Sequence, residues 1–286
     1  RRALVVLAAA LGATVLASGL FWFAGQRERA VSESRATLDA IVGLKAAEIA
    51  SWYDGQLSTG RALQAWPMSA RMLAGLRAQQ TEDPAALPRA PWLDGLAAEK
   101  DLLVAALFDV DGRLLSVSSK RPINLAALAA YDDEVRALGR SRQLQVHEIE
   151  AHQHHKHIEL WVPIHTADDA PDANSAWLLL SIDVGTTLYN IVQQLPIATA
   201  SGEVTMWRIR GDTALALSPL RYEADAALRF RAPVGETAAS LTRAANRADS
   251  LGTTDYRGVP VVAAARRVPG TDWTIVAKRD RSEVVA

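Results

Sequence analysis

The chain has 286 residues, 49% of them hydrophobic, which suits one large or two modest domains and excludes a disordered linker. Lys and Arg (31) balance Asp and Glu (32) at a net charge of -1, which argues against a nucleic-acid binder with its usual basic excess. The absence of Cys removes disulfide scaffolds, thiolate metal sites and cysteine nucleophiles together.

The first predicted element is a membrane span. Arg1-Arg2 precedes Ala3 to Phe23, a charge-free run of 21 residues, where about 20 suffice to cross a bilayer. Trp22 and Phe23 close the run, where amphipathic rings favour the interface. A cleaved signal peptide would use Leu16-Ala17-Ser18-Gly19, but the apolar run continues through Leu20-Phe21-Trp22-Phe23. Arg1 and Arg2 on one side match Arg27 and Arg29 on the other, so charge alone does not orient the span. An anchor placed before a large domain usually exports that domain, and residues from about 27 onward are expected outside the cytoplasm.

From Arg27 to about Ala65 there is no Pro, and Val31, Leu38, Ile41, Val42, Ile49, Trp52, Leu57 and Leu63 recur in steps of three, four and seven. That is helical spacing. Forty residues would make a rod of roughly 60 Å. Two compatible roles follow: packing along its own domain, and a homodimer contact that carries motion to the membrane. Lys45 and Arg35 interrupt the heptad. Pro67 ends the helix, Ser69 to Ala78 is a second amphipathic stretch, and the Pro-rich segment Thr81 to Pro91 is a loop.

Two α/β modules follow in series. In the first, Leu102 to Phe108 is a strand, Asp111-Gly112 a hairpin turn and Arg113 to Ser118 the return strand. Leu125 to Leu138 is a helix; Gln143 to Ile149, Ile158 to Ile164 and Ala176 to Ile182 are strands. Asp183 is placed to cap a helix over Thr186 to Leu195. The second module repeats the plan: strands Gly202 to Arg210 and Thr213 to Ser218, a helix Ala238 to Ala245, and strands Thr254 to Tyr256, Val259 to Val268 and Trp273 to Lys278. In the last of these, alternation of Trp273, Ile275 and Ala277 with Thr274, Val276 and Lys278 predicts a half-buried strand. Glu283-Val284-Val285 begins another helix.

With Leu44-Lys45, Ile49 and Trp52 on the long helix, the ordered motifs Leu107-Phe108-Asp109-Val110-Asp111-Gly112, Trp161-Val162-Pro163-Ile164, Leu180-Ser181-Ile182-Asp183, Ser201-Gly202-Glu203, Asp255-Tyr256-Arg257-Gly258 and Trp273-Thr274-Ile275-Val276-Ala277-Lys278 resemble a double Cache sensor domain. The resemblance covers nearly the whole chain and implies an α+β fold. Its parts are a transmembrane helix over 1–23, stalk helices over 24–79, and PAS-like modules over 80–195 (membrane-distal) and 196–280 (membrane-proximal). Residues 281–286 start an exit helix. Each module is a mainly antiparallel sheet with flanking helices. It further implies a periplasmic sensor on the bacterial inner membrane, feeding a cytoplasmic histidine kinase, or alternatively a diguanylate cyclase or chemoreceptor; a His-rich metal-sensing or metal-binding periplasmic protein is the remaining alternative. The segment itself is then not an enzyme. The tyrosine–arginine–tryptophan signature of the amino-acid-binding subset is not seen.

Two sites are candidates. All six histidines lie between His147 and His165. Residues two apart on a strand face the same way, so His152 with His154, or His155 with His157, can chelate one divalent ion such as zinc, nickel or copper. Glu148, Glu150 and Glu159 offer carboxylates nearby. The other readings of this run are a solvated hairpin tip and a pH sensor. The second site is a small-molecule pocket in the distal module. The resemblance puts it between the sheet and the loops after the first hairpin, with Arg121, Tyr131, Arg136 and Trp161 supplying charge and aromatic walls. Asp109 with Asp111 is read as a turn, since it lacks the further oxygens in register that calcium needs, and Asp255-Tyr256-Arg257-Gly258 is read as a hairpin corner.

Overall fold

The computed structural model describes residues 2–79, 86–120, 128, 131–152, 155–169, 174–223, 225–234 and 254–286. Their fold is mixed: helices with two antiparallel sheets of five strands each. The chain divides into two compact units, Ser51–Asn190 on one side and Arg1–Ala50 with Ile191–Ala286 on the other. A single helix α1, Arg2–Gln64, has residues in both.

In Ser51–Asn190, α1 is followed by α2 (Ala70–Ala78) and α3 (Pro91–Glu99). The strands are β1 (Val104–Asp109), β2 (Leu114–Ser119), β3 (Gln145–His152), β4 (His155–Ile164) and β5 (Ala176–Asp183), with α4 (Asp132–Leu138) between β2 and β3. Their order across the sheet is β2-β1-β5-β4-β3. Strand geometry sends alternate side chains to opposite faces, and both faces here are covered. Leu107, Leu160, Val162, Leu178 and Leu180 form one core with Leu73, Leu76 and Leu93, with Trp52, Leu57 and Leu63 packed against it. Ala106, Phe108, Trp161, Trp177 and Leu179 form the opposite core with Leu128 and Val135. This double burial explains why β5 reads as an unbroken apolar run.

Two glycines fix the geometry. At Gly60 a Cβ would come within 2.5 Å of Leu144 and 2.8 Å of Leu160, so its absence lets α1 lie close on the sheet. Gly112 has φ +86° in the β1–β2 turn, and a Cβ there would collide with the backbone of Asp132. Asp109 closes that turn, and Arg77 holds its carboxylate with two hydrogen bonds of 2.8 and 3.1 Å. The Asp109 motif is structural, as its turn chemistry predicts.

The other unit holds α5 (Leu188–Gln193) from Ile191 onward, β6 (Glu203–Arg210), β7 (Thr213–Ala216), β8 (Arg231–Pro233), β9 (Val261–Arg267), β10 (Trp273–Asp280) and α6 (Arg281–Val284). The strand order is β8-β7-β6-β10-β9. Trp207, Ala214, Ala216, Val261, Ala263 and Val276 belong to its core. Leu38, Ile41, Val42 and Ile49 of α1 are buried, and Arg266 of β9 reaches Asp39 at 3.1 Å. That supports the first of the two roles expected of the long helix, packing along its own domain.

Several expectations need adjustment. Among the described residues, no helix is long and apolar enough to cross a membrane. α3 and β8 have no counterpart among the predicted elements. The Asp183 carboxylate accepts the Gly185 N–H at 2.7 Å, in a turn before α5 rather than as its cap. β10 is not half-buried: Val276 and Lys278 are each 1% exposed, because the face carrying Lys278 is covered as well. The helices expected over Leu125 to Leu138 and Ala238 to Ala245 fall wholly or partly outside the described residues.

Candidate functional site

Strand alternation places His157, Glu159 and Trp161 of β4 on the face opposite α1–α3. His147 of β3 is the direct cross-strand partner of Glu159, and Ser181 of β5 is its partner on the other side. The register of β3 shifts between His147 and Glu150, and such an irregularity re-aims side chains locally. Tyr131, just before α4, and Glu134, in its first turn, complete the group.

Glu159 is the centre. It is 1% exposed in the middle of a sheet. Tyr131 donates its phenol hydrogen to Oε1, and His157 Nε2 lies 3.1 Å from the same oxygen. Trp161 Nε1–H donates to Oε2 at 3.3 Å. His147 Nδ1 is 3.7 Å from Oε2 and 2.6 Å from Glu134 Oε1. Burial pushes the Glu159 carboxyl up, but hydrogen bonds from His147, His157 and Tyr131 outweigh it and hold the group well below the usual carboxylate range. Aromatic rings wall the site: Trp161 lies 5.5 Å from Phe108, 5.7 Å from Tyr131 and 6.0 Å from His147 between ring centroids. A buried carboxylate with convergent polar groups beside aromatic rings supplies the polar and aromatic elements that small-ligand sites use.

Of the expected pocket residues, the structure brings Tyr131 and Trp161 together here. Arg136 is exposed and bonded to Asp132, Asp133 and the Asp111 carbonyl. Arg121 lies outside the described residues. Of the expected metal ligands, His157 is buried in this cluster. His152 and His155 pair across the end of the β3–β4 hairpin, and His154 lies outside the described residues. The sequence offers Glu159 among the carboxylates near the histidines. It does not single out Glu134, whose approach depends on how α4 crosses the sheet.

A second buried polar group occupies the other unit, at residues read only as a turn and a strand end. Lys278 of β10 is held by Asp255 and, at 3.0 Å, by Glu203. Arg257 bridges Asp255 and Asp280, and Tyr256 donates to Glu203 at 3.0 Å. Burial pushes the Asp255 carboxyl up, but Lys278 and Arg257 outweigh it and hold it below the usual range. The segment 254–260 is the corner expected of Asp255-Tyr256-Arg257-Gly258, but the strand expected over Thr254 to Tyr256 is replaced by a single bridge from Thr254 to Pro260, because the chain turns at once; the Asp255 carboxylate also neutralises a buried lysine.

No protein-family model matches the sequence, and no curated protein matches it. Solved structures do share its fold. The sensory domain of the Campylobacter jejuni chemoreceptor Tlp3 gives a TM-score of 0.58 at 11% identity, over 91% of this chain and 98% of that one. The extracellular domain of the putative histidine kinase vpHK1S-Z8 gives 0.53 at 10% identity, over 91% and 95%. The ligand-binding domain of the Pseudomonas aeruginosa PAO1 amino acid chemoreceptor PctB, in complex with L-Arg, gives 0.50 at 15% identity, over 89% and 98%. These are sensory rather than enzymatic domains, and the fold of this chain is the Cache-type fold they represent.

Proposed function

We propose that this chain is the extracytoplasmic ligand-sensing part of a membrane-anchored bacterial receptor whose output is a cytoplasmic histidine kinase. The observation that carries it is the Glu159 cluster: a buried, multiply bonded carboxylate under aromatic walls, on a fold otherwise seen in sensory domains. A chemoreceptor output is the second reading, favoured by the chemoreceptor domains of similar fold.

The charge-free run Ala3 to Phe23 is the proposed anchor, with the domain from about residue 27 in the periplasm. Within the unit that carries both, residues of α1 from Leu20 to Arg35 and the exit segment Arg281 to Val285 line one groove. Entry and exit side by side suit a chain that returns to the membrane. Residues 80–195 and 196–280 are the proposed distal and proximal modules. Leu38, Ile41, Val42 and Ile49 are spent inside the chain, so a homodimer through α1 would use another face of it.

A stimulus acts by binding two arrangements of the domain with different affinity, which shifts their populations. Reading the gene beyond Ala286 tests the proposal directly. A second span followed by a kinase core is the expected result. A stop codon soon after Ala286, with no signalling domain, overturns the receptor reading; a chemoreceptor signalling domain replaces the first output with the second.

A further inference from the structure

We propose that Glu134, His147 and Glu159 form a site for one divalent transition-metal ion, and that this ion is a stimulus of the unit Ser51–Asn190. The inference rests on the sensor reading above and names its ligand class. It moves the expected metal chemistry from the hairpin tip to the buried face of the sheet.

Geometry comes first. One imidazole nitrogen and two carboxylate oxygens from these residues lie within 4.8 Å of one another. Ligands at about 2.0–2.2 Å in a tetrahedral array stand roughly 3.4 Å apart. The observed 2.6 Å from His147 Nδ1 to Glu134 and 3.7 Å to Glu159 bracket that spacing. With all three ligand atoms within 4.8 Å of one another, a single ion is within reach of each. The topology enforces the arrangement, because His147 and Glu159 are cross-strand partners and Glu134 sits on the first turn of α4.

The surroundings of Glu159 give a second, independent argument. A metal-binding carboxylate needs outer partners that fix which oxygen faces the ion. Here Tyr131 and His157 both engage Oε1. Oε2, the oxygen nearer His147 Nδ1, takes the longer 3.3 Å bond from Trp161. One oxygen is anchored and the other is presented. Among the described residues, the groups that hold Glu159 are a phenol, an indole and two imidazoles. None carries a permanent positive charge, and a dication would supply it. Glu159 has a side chain 2% exposed, whereas those of His147 and Glu134 are 24% and 37% exposed, so the pair opens a route from solvent to the buried ligand. With one nitrogen, two oxygens and no thiolate, the donor set suits zinc, nickel or copper and leaves a coordination position for water.

The test uses the full 286-residue chain in mild detergent, stripped with chelator and titrated with zinc by calorimetry and by thermal melting. One zinc per chain and a raised melting temperature are expected. Glu134→Gln and His147→Gln should each weaken zinc at least about tenfold, while the His152→Ala/His155→Ala double variant binds as wild type. Circular dichroism and the metal-free melting temperature of each variant establish that it is folded. Cobalt should give the visible absorption of a tetrahedral nitrogen–oxygen site in wild type and lose it in His147→Gln. Zinc binding that survives Glu134→Gln and His147→Gln but disappears in the hairpin double variant overturns the assignment. So does the absence of stoichiometric binding. An amine or amino acid that raises the melting temperature where zinc does not would also overturn it, and would leave the sensor reading standing.

Discussion

A lysine 1% exposed inside a sheet is costly unless its charge is met, and Lys278 meets two carboxylates, Glu203 and Asp255. Removing one partner from such a group leaves charge stranded, typically at about 3–5 kcal/mol. Lys278→Met should therefore destabilise the unit that carries β10 by about that amount at neutral pH, read from denaturant unfolding. The sign of its pH dependence follows from Asp255. The folded-state carboxyl is held below its ordinary value, so its stabilising contribution is complete above the unfolded value of about 4 and is lost as pH falls through the folded one. The penalty of Lys278→Met should accordingly shrink as pH drops below about 4, where Asp255 can take a proton instead. A penalty independent of pH would show that Lys278 acts by packing alone. None of this is legible in the strand pattern. Period-two alternation marks Lys278 as outward-facing; among the described residues, Asp255 and Tyr256 of the corner and Tyr222 lie against it and turn that face into an interior. The sequence offers Glu159 as one of three carboxylates near the histidines but not its burial: its side chain shares a face with Trp161, and its three further partners come from β3, β4 and the residue just before α4.

Elements are far more visible in the sequence than their contacts. Strands β1, β2, β5, β6 and β10 fall within a few residues of their expected positions, because apolar runs or alternation bounded by turn residues leave little choice. α3 escapes because Pro91, its first residue, reads as the end of a loop, although Pro is tolerated at that position. α1 is legible over its stalk from the three-and-four spacing. The spacing does not say which glycines in it are slack and which are packed, and the structure does. A Cβ at Gly55 would meet nothing within 4 Å, whereas one at Gly60 would run into Leu144 and Leu160. Gly55→Ala should stabilise by about 0.5–1 kcal/mol through helix propensity and the unfolded chain. Gly60→Leu gains similar propensity but overpacks the sheet, at a typical cost of about 1–3 kcal/mol, and should come out destabilising. Thermal melts of the two variants beside wild type decide the matter. Equal stabilisation by both would mean that α1 does not press on β4 at Gly60.

At the scale of the whole molecule, the two borders between units fall inside helices: Ala50/Ser51 within α1 and Asn190/Ile191 within Leu188–Gln193. A glycine- or proline-rich linker would let each unit move without consequence for the other. A helical crossing carries its hydrogen-bond ladder through the border, so rotation or displacement on one side is passed along the backbone. On the proposed reading, in which binding at Glu159 becomes a change at Arg281–Val284, a helical crossing is a backbone route that such a signal can take. Ser51 is exposed, so Ser51→Pro removes little packing. It deletes one ladder bond and clashes with the carbonyl one turn back, at about 3 kcal/mol. The expected outcome is selective. The compound that raises the melting temperature of the wild-type chain still binds the variant, because every residue of the Glu159 cluster lies in Ser51–Asn190. The change in amide exchange that it produces at residues 281–285 of wild type is lost. Hydrogen exchange with and without the compound, on both proteins, measures this. If residues 281–285 of Ser51→Pro still respond as in wild type, α1 is not the route, and the burden passes to the second crossing at Asn190/Ile191.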